Sequence, residues 1–230
     1  ALAPALGEQV IVDNRGGIIP QQTVVQSPPD GYTLLLHARP TWIATFLGST
    51  GYDPVRDLAP ISIVTSAPSV LVVHPSLPAR NVKELIALAK ARPGQLNYGS
   101  ATAGSDNHLT AELFKAMARV NIVGVMYGGT GQAVNDLISG QTQMMFVGPG
   151  TAQQQAKAGR LRPLAVTSAQ PTALYPELPT IASAGLPGYE AVQVQGMMAP
   201  AKTPQTIIAK LHQEVVKMLA RPEIRQRLLS

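Results

Sequence analysis

The sequence predicts an α/β fold of two lobes, and three observations carry that prediction. Between residues 81 and 167, helix and strand patterns alternate as they do in parallel α/β sheets. Three successive strands of that block end in glycine-bearing loops, and each loop opens a helix. A strand-like stretch over 191–198 then returns the chain to an earlier strand-rich segment, so the alternating block is inserted into a discontinuous lobe. With 230 residues, 45% of them hydrophobic, the chain has enough apolar surface for such cores.

The early segment reads as strands over 10–13, 32–36, 61–65 and 70–74, punctuated by turns at Pro28-Pro29-Asp30-Gly31 and Tyr52-Asp53-Pro54. A helix opens at Asn81, with Glu84 completing a capping box, buries Val82, Leu85, Ile86 and Ala89, and stops at Pro93-Gly94. A strand over 96–98 leads into the small-residue run Tyr98-Gly99-Ser100-Ala101-Thr102-Ala103-Gly104-Ser105. Ser105 is placed as N-cap of a helix that buries Leu109, Leu113, Phe114 and Met117. A strand over 122–126 passes through Tyr127-Gly128-Gly129-Thr130-Gly131 into a helix carrying Val134, Leu137 and Ile138, closed by Gly140. The strand over 144–147 passes through Gly148-Pro149-Gly150-Thr151 into a short helix ending near Gly159, and a fourth strand covers 164–167. After 191–198, Thr203 reads as N-cap with Pro204 at N1 of a helix burying Ile207, Leu211, Val215 and Leu219, and Pro222 starts another. The lobes predicted from this order are 1–73 plus 194–230, and 74–193, hinged near Val73 and Gln193.

Composition narrows the function. The net charge of +5 comes from dispersed Lys and Arg, and only 4% of residues are aromatic, so the basic stacking platforms of nucleic-acid binders are missing. No apolar stretch approaches a bilayer span. The absence of cysteine excludes a disulfide framework and thiolate chemistry, and fits an exported protein at least as well as a cytosolic one. No signal peptide is visible at Ala1, which a processed chain would have lost. No HExxH, G-x-S-x-G or Walker A pattern occurs, and Gly129-Thr130-Gly131 lacks the third glycine of a dinucleotide fingerprint. His37, His74, His108 and His212 have no carboxylate at metal-ligand spacing. No metal, no cofactor and no enzymatic activity are expected.

The chemistry points instead to anion binding. Helix N-termini leave N–H groups facing the loops before them, and in open α/β sheets ligands gather beyond the carboxyl ends of strands. Three such loops in succession favour a site over simple turns. His108, in the first helical turn after Ser105, is placed to reach a ligand or to be satisfied within the fold. Arg39, after a strand end, is placed to grip a carboxylate or to sit in solvent. Asp106 reads as a complement to the helix dipole.

Several stretches, in this order and spacing, resemble one family. Arg15-Gly16-Gly17, Pro29-Asp30-Gly31-Tyr32-Thr33-Leu34-Leu35, Tyr52-Asp53-Pro54-Val55-Arg56-Asp57-Leu58, Val72-Val73-His74-Pro75-Ser76-Leu77-Pro78 and Leu96-Asn97-Tyr98-Gly99-Ser100 are similar to the substrate-binding proteins of tripartite tricarboxylate transporters, the Bug receptors. Leu164-Ala165-Val166-Thr167-Ser168, Pro179-Thr180 and Ala184-Gly185-Leu186-Pro187-Gly188-Tyr189-Glu190 continue the resemblance over nearly the whole chain. It implies a two-lobed periplasmic binding protein of type II-like architecture, each lobe a mainly parallel sheet flanked by helices, with the ligand in the interlobe cleft. It also implies a periplasmic location, a small carboxylate ligand, a membrane permease as partner and a monomer. Carried onto matching positions, the ligand-binding residues expected are His37, Arg39 and Thr41; Ser100, Ala101, Thr102, Ser105 and His108; Tyr127, Gly129 and Thr130; and Val147 and Gly148.

Two departures sharpen the expectation. Many members carry an aspartate where Val147 stands, able to pair with a ligand amino group, so the ligand expected here is a di- or tricarboxylate or an aromatic acid without an α-amino group. Members normally have a strand, a Pro-Gly-Gly loop and a helix before the region matching Leu6-Gly7, and more helix after Leu229, so these segments are expected either to lie outside the 230 residues or to be missing from lobe 1. Two other readings use the same residues: a hydrolase-like enzyme acting on a carboxylate or phosphate ester through Ser100 or Ser105, and a ligand sensor for a signalling partner.

Overall fold

The computed structural model describes residues 3–15, 18–48 and 50–229. Gly16 and Gly17 of the Arg15-Gly16-Gly17 motif lie outside them, as do Ala1 and Ser230 at the ends of the predicted first lobe. In chain order the elements are α1 (Ala3–Leu6), α2 (Ile19–Val25), β1 (Leu35–Ala38), α3 (Pro40–Leu47), α4 (Pro54–Asp57), β2 (Leu58–Pro68), β3 (Val70–Val73), α5 (Val82–Ala91) and β4 (Asn97–Ser100). There follow α6 (Asp106–Ala118), β5 (Val123–Met126), α7 (Thr130–Ile138), β6 (Met144–Val147), α8 (Pro149–Lys157), β7 (Arg162–Val166), β8 (Val192–Pro200), α9 (Gln205–Ala220) and α10 (Pro222–Leu229).

The chain divides into two compact units, Ala1–Ser66 with Val194–Ser230, and Ala67–Gln193. The sequence placed the first crossing at 73, after β3. Val70, Val72 and their neighbours instead pair with β6 and β7, so β3 belongs wholly to the second unit. Both crossings fall inside continuous strands, β2 and β8, and not in loops.

The second unit holds a five-stranded sheet in the order β5-β4-β6-β3-β7. β5, β4 and β6 run parallel, while β3 runs against both β6 and β7. β3 keeps the direction that it inherits from β2, with only Ser69 between them, so no crossover helix sets its sense. Its four side chains are fully buried and alternate faces. Leu71 and Val73 pack with Val82, Leu85 and Ala89 of α5 and Ala111, Phe114 and Ala118 of α6. Val70 and Val72 pack with Ala133, Val134 and Leu137 of α7 and Ala152 of α8. The result is a sheet covered by helices on both faces, as α/β proteins with buried parallel strands require.

The first unit holds a three-stranded sheet in the order β1-β8-β2. The expectation of a mainly parallel sheet fails here, because β1 pairs antiparallel with β8, from Leu35 opposite Met198 to Ala38 opposite Gln195. Parallel sense is imposed by a crossover between partners adjacent in sequence, and β1 and β8 are not so joined. Met197 and Ala199 of β8 face Ile208, Leu211 and Val215 of α9, while Met198 faces Val24 of α2.

Other expectations shift locally. Residues 10–13 form no strand; Ile11 and Val12 are 79% and 77% exposed, and the sheet ladder that a strand needs is taken by β1, β8 and β2. The expected 32–36 strand begins at Leu35, because Asp30 accepts a bond from the Tyr32 N–H and prolongs the turn. Thr203 is not the cap of α9. Its hydroxyl is buried without a partner, and Pro204 takes the cap position, its carbonyl accepting from the Ile207 and Ile208 N–H groups. Ile208 accordingly replaces Ile207 on the fully buried face. Asn81 does cap α5, accepting from the Glu84 N–H at 2.9 Å, while Glu84 accepts from the Asn81 amide and the Arg80 N–H.

Gly31 sits at φ +86, where a side chain is strained, and an added Cβ would meet Ile207 Cγ2 at 2.5 Å. Gly31→Ala is therefore expected to destabilise the protein by about 1–3 kcal/mol, read as a lower urea midpoint. An unchanged midpoint would show that the turn and Ile207 both yield.

Candidate functional site

The carboxyl ends of β4, β5 and β6 lie on one edge of the second unit's sheet, because these three strands are parallel. Each is followed within a few residues by a helix, and the N-cap positions are Ser105, Gly129 and Gly148. None of the three N-cap residues bonds a side chain to the first turn, and in α6 the His108 N–H is taken instead by Asn107 Oδ1. α5, which follows the oppositely directed β3, is closed by Asn81. Open helix ends and a closed one thus belong to opposite strand directions of one sheet.

A cavity of about 290 Å³ opens at these helix ends. Its walls are Ala101 of the loop after β4, Ser105, Asp106 and Asn107 at the start of α6, Thr130 at the start of α7, Phe146, Val147 and Gly148 at the end of β6, and Gln193. Of the predicted residues, the structure brings Ala101, Ser105, Thr130, Val147 and Gly148 to this wall. Gly129 caps α7 beside Thr130. Val147 is 2% exposed and packs its side chain among Val70, Val72 and Val134, so it offers an apolar surface.

The loop of small residues is tied down by its own helix. Ser105 Oγ lies 2.6 Å from both the Thr102 carbonyl and Asn107 Oδ1, and its single proton serves one of them at a time. The expected cap bond from Ser105 to the helix is absent because the hydroxyl turns back to this loop. Ser100, fully buried, donates to Asn107 Oδ1 at 3.2 Å, and the His108 N–H does the same. Thr102 is exposed and contributes its carbonyl. His108 does not line the cavity; its Nδ1 accepts the Gly104 N–H at 3.1 Å.

Tyr127 also does another task. Its hydroxyl donates to Asp136 at 2.8 Å, which binds the turn after β5 to α7, and burial with the Asp136 carboxylate pushes the phenol up to about 12. His37, Arg39 and Thr41 belong to the first unit. His37 Nδ1 lies 2.6 Å from Thr41 Oγ1 and 3.3 Å from the Gln21 amide, Thr41 is fully buried, and Arg39 stands at the N-cap of α3.

The residues that the sequence did not single out are Asn107, Phe146 and Gln193, with Asp106 read only as a dipole complement. Asn107 carries a signal, since asparagine is a poor helix former that favours local side-chain bonds. Gln193 carries none; its amide donates to Ser69 Oγ at 3.1 Å, a contact across 124 positions. Among the described residues, no group of three or more His, Asp or Glu could hold a metal ion, and no helix is long and apolar enough to cross a membrane.

The fold and this arrangement define a class: a two-lobed α/β binding protein of the periplasmic type, with its cavity at the strand ends of one unit. The chain belongs to the tripartite tricarboxylate transporter family receptors, whose family model matches residues 1–230. It is similar to the structure of R. palustris Rpa4515 with adipate, at 34% identity and TM-score 0.85 over 99% of this chain and 78% of that one. It is similar to the periplasmic binding protein BugD, at 31% identity and TM-score 0.84 over 99% and 78%. A third similar structure is MatC from Rhodopseudomonas palustris with bound malate, at 26% identity and TM-score 0.85 over 99% and 79%.

Proposed function

We propose that this protein is a periplasmic solute receptor that captures a small carboxylate and delivers it to the membrane permease of a tripartite transporter, with no chemistry of its own. The observation that carries the reading is the set of three open helix N-termini around one cavity. Each such end presents about half a positive charge, so the three together exceed the single negative charge of Asp106, the one ionisable group on the wall among the described residues. Free N–H groups then bind the carboxylate oxygens directly, which needs no lysine or arginine. The first turns after Ser105, Gly129 and Gly148 are the segments that present them, and Gln193 adds an amide.

The ligand class is a di- or tricarboxylate or an aromatic acid without an α-amino group. Val147 offers no side-chain oxygen to an ammonium, and two related structures hold adipate and malate, both amine-free dicarboxylates. Asp106 is the wall residue that could answer an ammonium. The test therefore pairs each acid with its amino counterpart: succinate with aspartate and glutarate with glutamate, with adipate, malate, citrate and benzoate beside them. At least one amine-free acid is expected to raise the melting temperature by mass action and to titrate in calorimetry. Tight binding of the amino acids alone would overturn the ligand class, and a flat response to every acid would overturn the receptor reading. A hydrolase acting through Ser100 or Ser105 has less support. Both hydroxyls bond with Asn107, an amide that takes up no proton, and the nearby His108 Nδ1 is engaged by Gly104.

A further inference from the structure

His108 was expected to touch the ligand, and the structure gives it a different job. Its Nδ1 accepts the N–H of Gly104, four residues back in the chain. An imidazole nitrogen accepts only when it carries no proton, so this bond requires the neutral ring with its proton on Nε2. Gly104 is buried and stands at φ +78, a conformation that glycine adopts without the steric cost a side chain would carry. The loop so held contains Ala101 and ends at Ser105, both on the cavity wall.

We propose that neutral His108 is a positioning residue: it latches the 101–105 loop in its binding shape, and protonation of the ring releases the latch and weakens the site. The inference rests on the receptor reading for its effect on ligand, but the latch itself does not. On the imidazolium both nitrogens carry protons, so the Gly104 N–H and the Nδ1–H face each other as two donors. The charged groups around the ring permit that protonation. Glu112, one turn along α6, interacts favourably with a positive His108, and Asp106 lies in the same first turn. Lys115, which binds Glu112 and stands over the Tyr98 ring, opposes it. Tyr98 of β4, whose ring centroid is 6.4 Å from that of His108, donates its hydroxyl to Glu112 and stays neutral, its phenol pushed up by burial and by the Glu112 carboxylate. The sign follows from the donor count: the latch is present with the neutral ring and lost with the protonated one.

The experiment follows the Gly104 amide by NMR and hydrogen exchange between about pH 8 and pH 5.5, in the intact protein and in His108→Asn and His108→Ala. An asparagine oxygen reproduces the acceptor near Nδ1 without titrating. In the wild type the Gly104 amide is expected to lose about fivefold or more of its protection on acidification, after correction for intrinsic exchange. His108→Asn should keep protection at both pH values, and His108→Ala should lack it at both. The same three proteins titrated with adipate should show a fall in affinity of about fivefold for the wild type only. Equal protection of Gly104 at both pH values in the wild type would overturn the proposal, as would identical pH dependence in the wild type and His108→Asn. If no variant binds adipate or any other carboxylate, the receptor reading fails, and the latch is still judged by the Gly104 amide.

Discussion

Gly148→Leu is expected to abolish carboxylate binding, lowering affinity at least about 100-fold, while leaving the melting temperature within about 2 °C of the wild type. Gly148 stands at φ −64 and ψ 154, an extended conformation open to any residue, and Pro149 after it favours that same region. A Cβ added there meets nothing within 4 Å, so the fold has no objection to a side chain. The space is empty because Gly148 borders the cavity, beside Val147 and across from the start of α6. A leucine fills the place where the oxygens of an anion would meet the first turn of α8, and it also screens those N–H groups. Calorimetry with the best acid from the panel, alongside thermal melts of the empty protein, separates the two effects. Full affinity in a stable Gly148→Leu protein would move the site away from this cavity.

Phe114→Ala is expected to cost about 3–5 kcal/mol of stability, the largest loss for any single truncation discussed for this chain. Phe114 is fully buried on α6, with its ring 6.0 Å from Phe146 and 6.1 Å from Tyr189, the latter edge-on. Such contacts add to the apolar area that the ring buries. Tyr189 is fixed in turn by its hydroxyl, which donates to the Thr110 carbonyl at 2.9 Å, so it cannot easily swing into the space left behind. Phe146 belongs to this trio and to the cavity wall, so the same truncation should also loosen the site. Urea denaturation measures the first effect and carboxylate titration the second. A loss under about 1 kcal/mol would mean that the two remaining rings close the void.

The contrast between these positions shows what the sequence could and could not disclose. β6 is legible to the residue, since Met144, Met145, Phe146 and Val147 form an apolar run buried on both faces between turn signals. The glycine loops after β4, β5 and β6 were legible for the same reason, and the parallel sense of those strands brings them to one edge. The direction of β3 was not legible, because it depends on a connection through Ser69 from the other unit and not on any local pattern. The buried face of α6 was misread in an instructive way. Leu113, expected inside, is 36% exposed, while Asn107 and Thr110 are buried. Apolar periodicity assumes that a helix turns its polar side to water, and α6 instead turns the Asn107 side chain inward to serve the loop. Gln193 and His108 took their roles from contacts that only folding creates, one with Ser69 and one with a backbone amide.

The three unclosed helices at the cavity have a consequence for heat tolerance. A side-chain cap stabilises a helix by about 0.5–2 kcal/mol over alanine and by a few tenths over glycine, and the N-cap residues of α6, α7 and α8 supply none. The protein therefore stands below the stability that its own backbone could reach. Residues that would harden it against heat by finishing those helices would occupy the very amides that the proposed carboxylate site uses, so on that reading thermal robustness and uptake compete for the same few N–H groups.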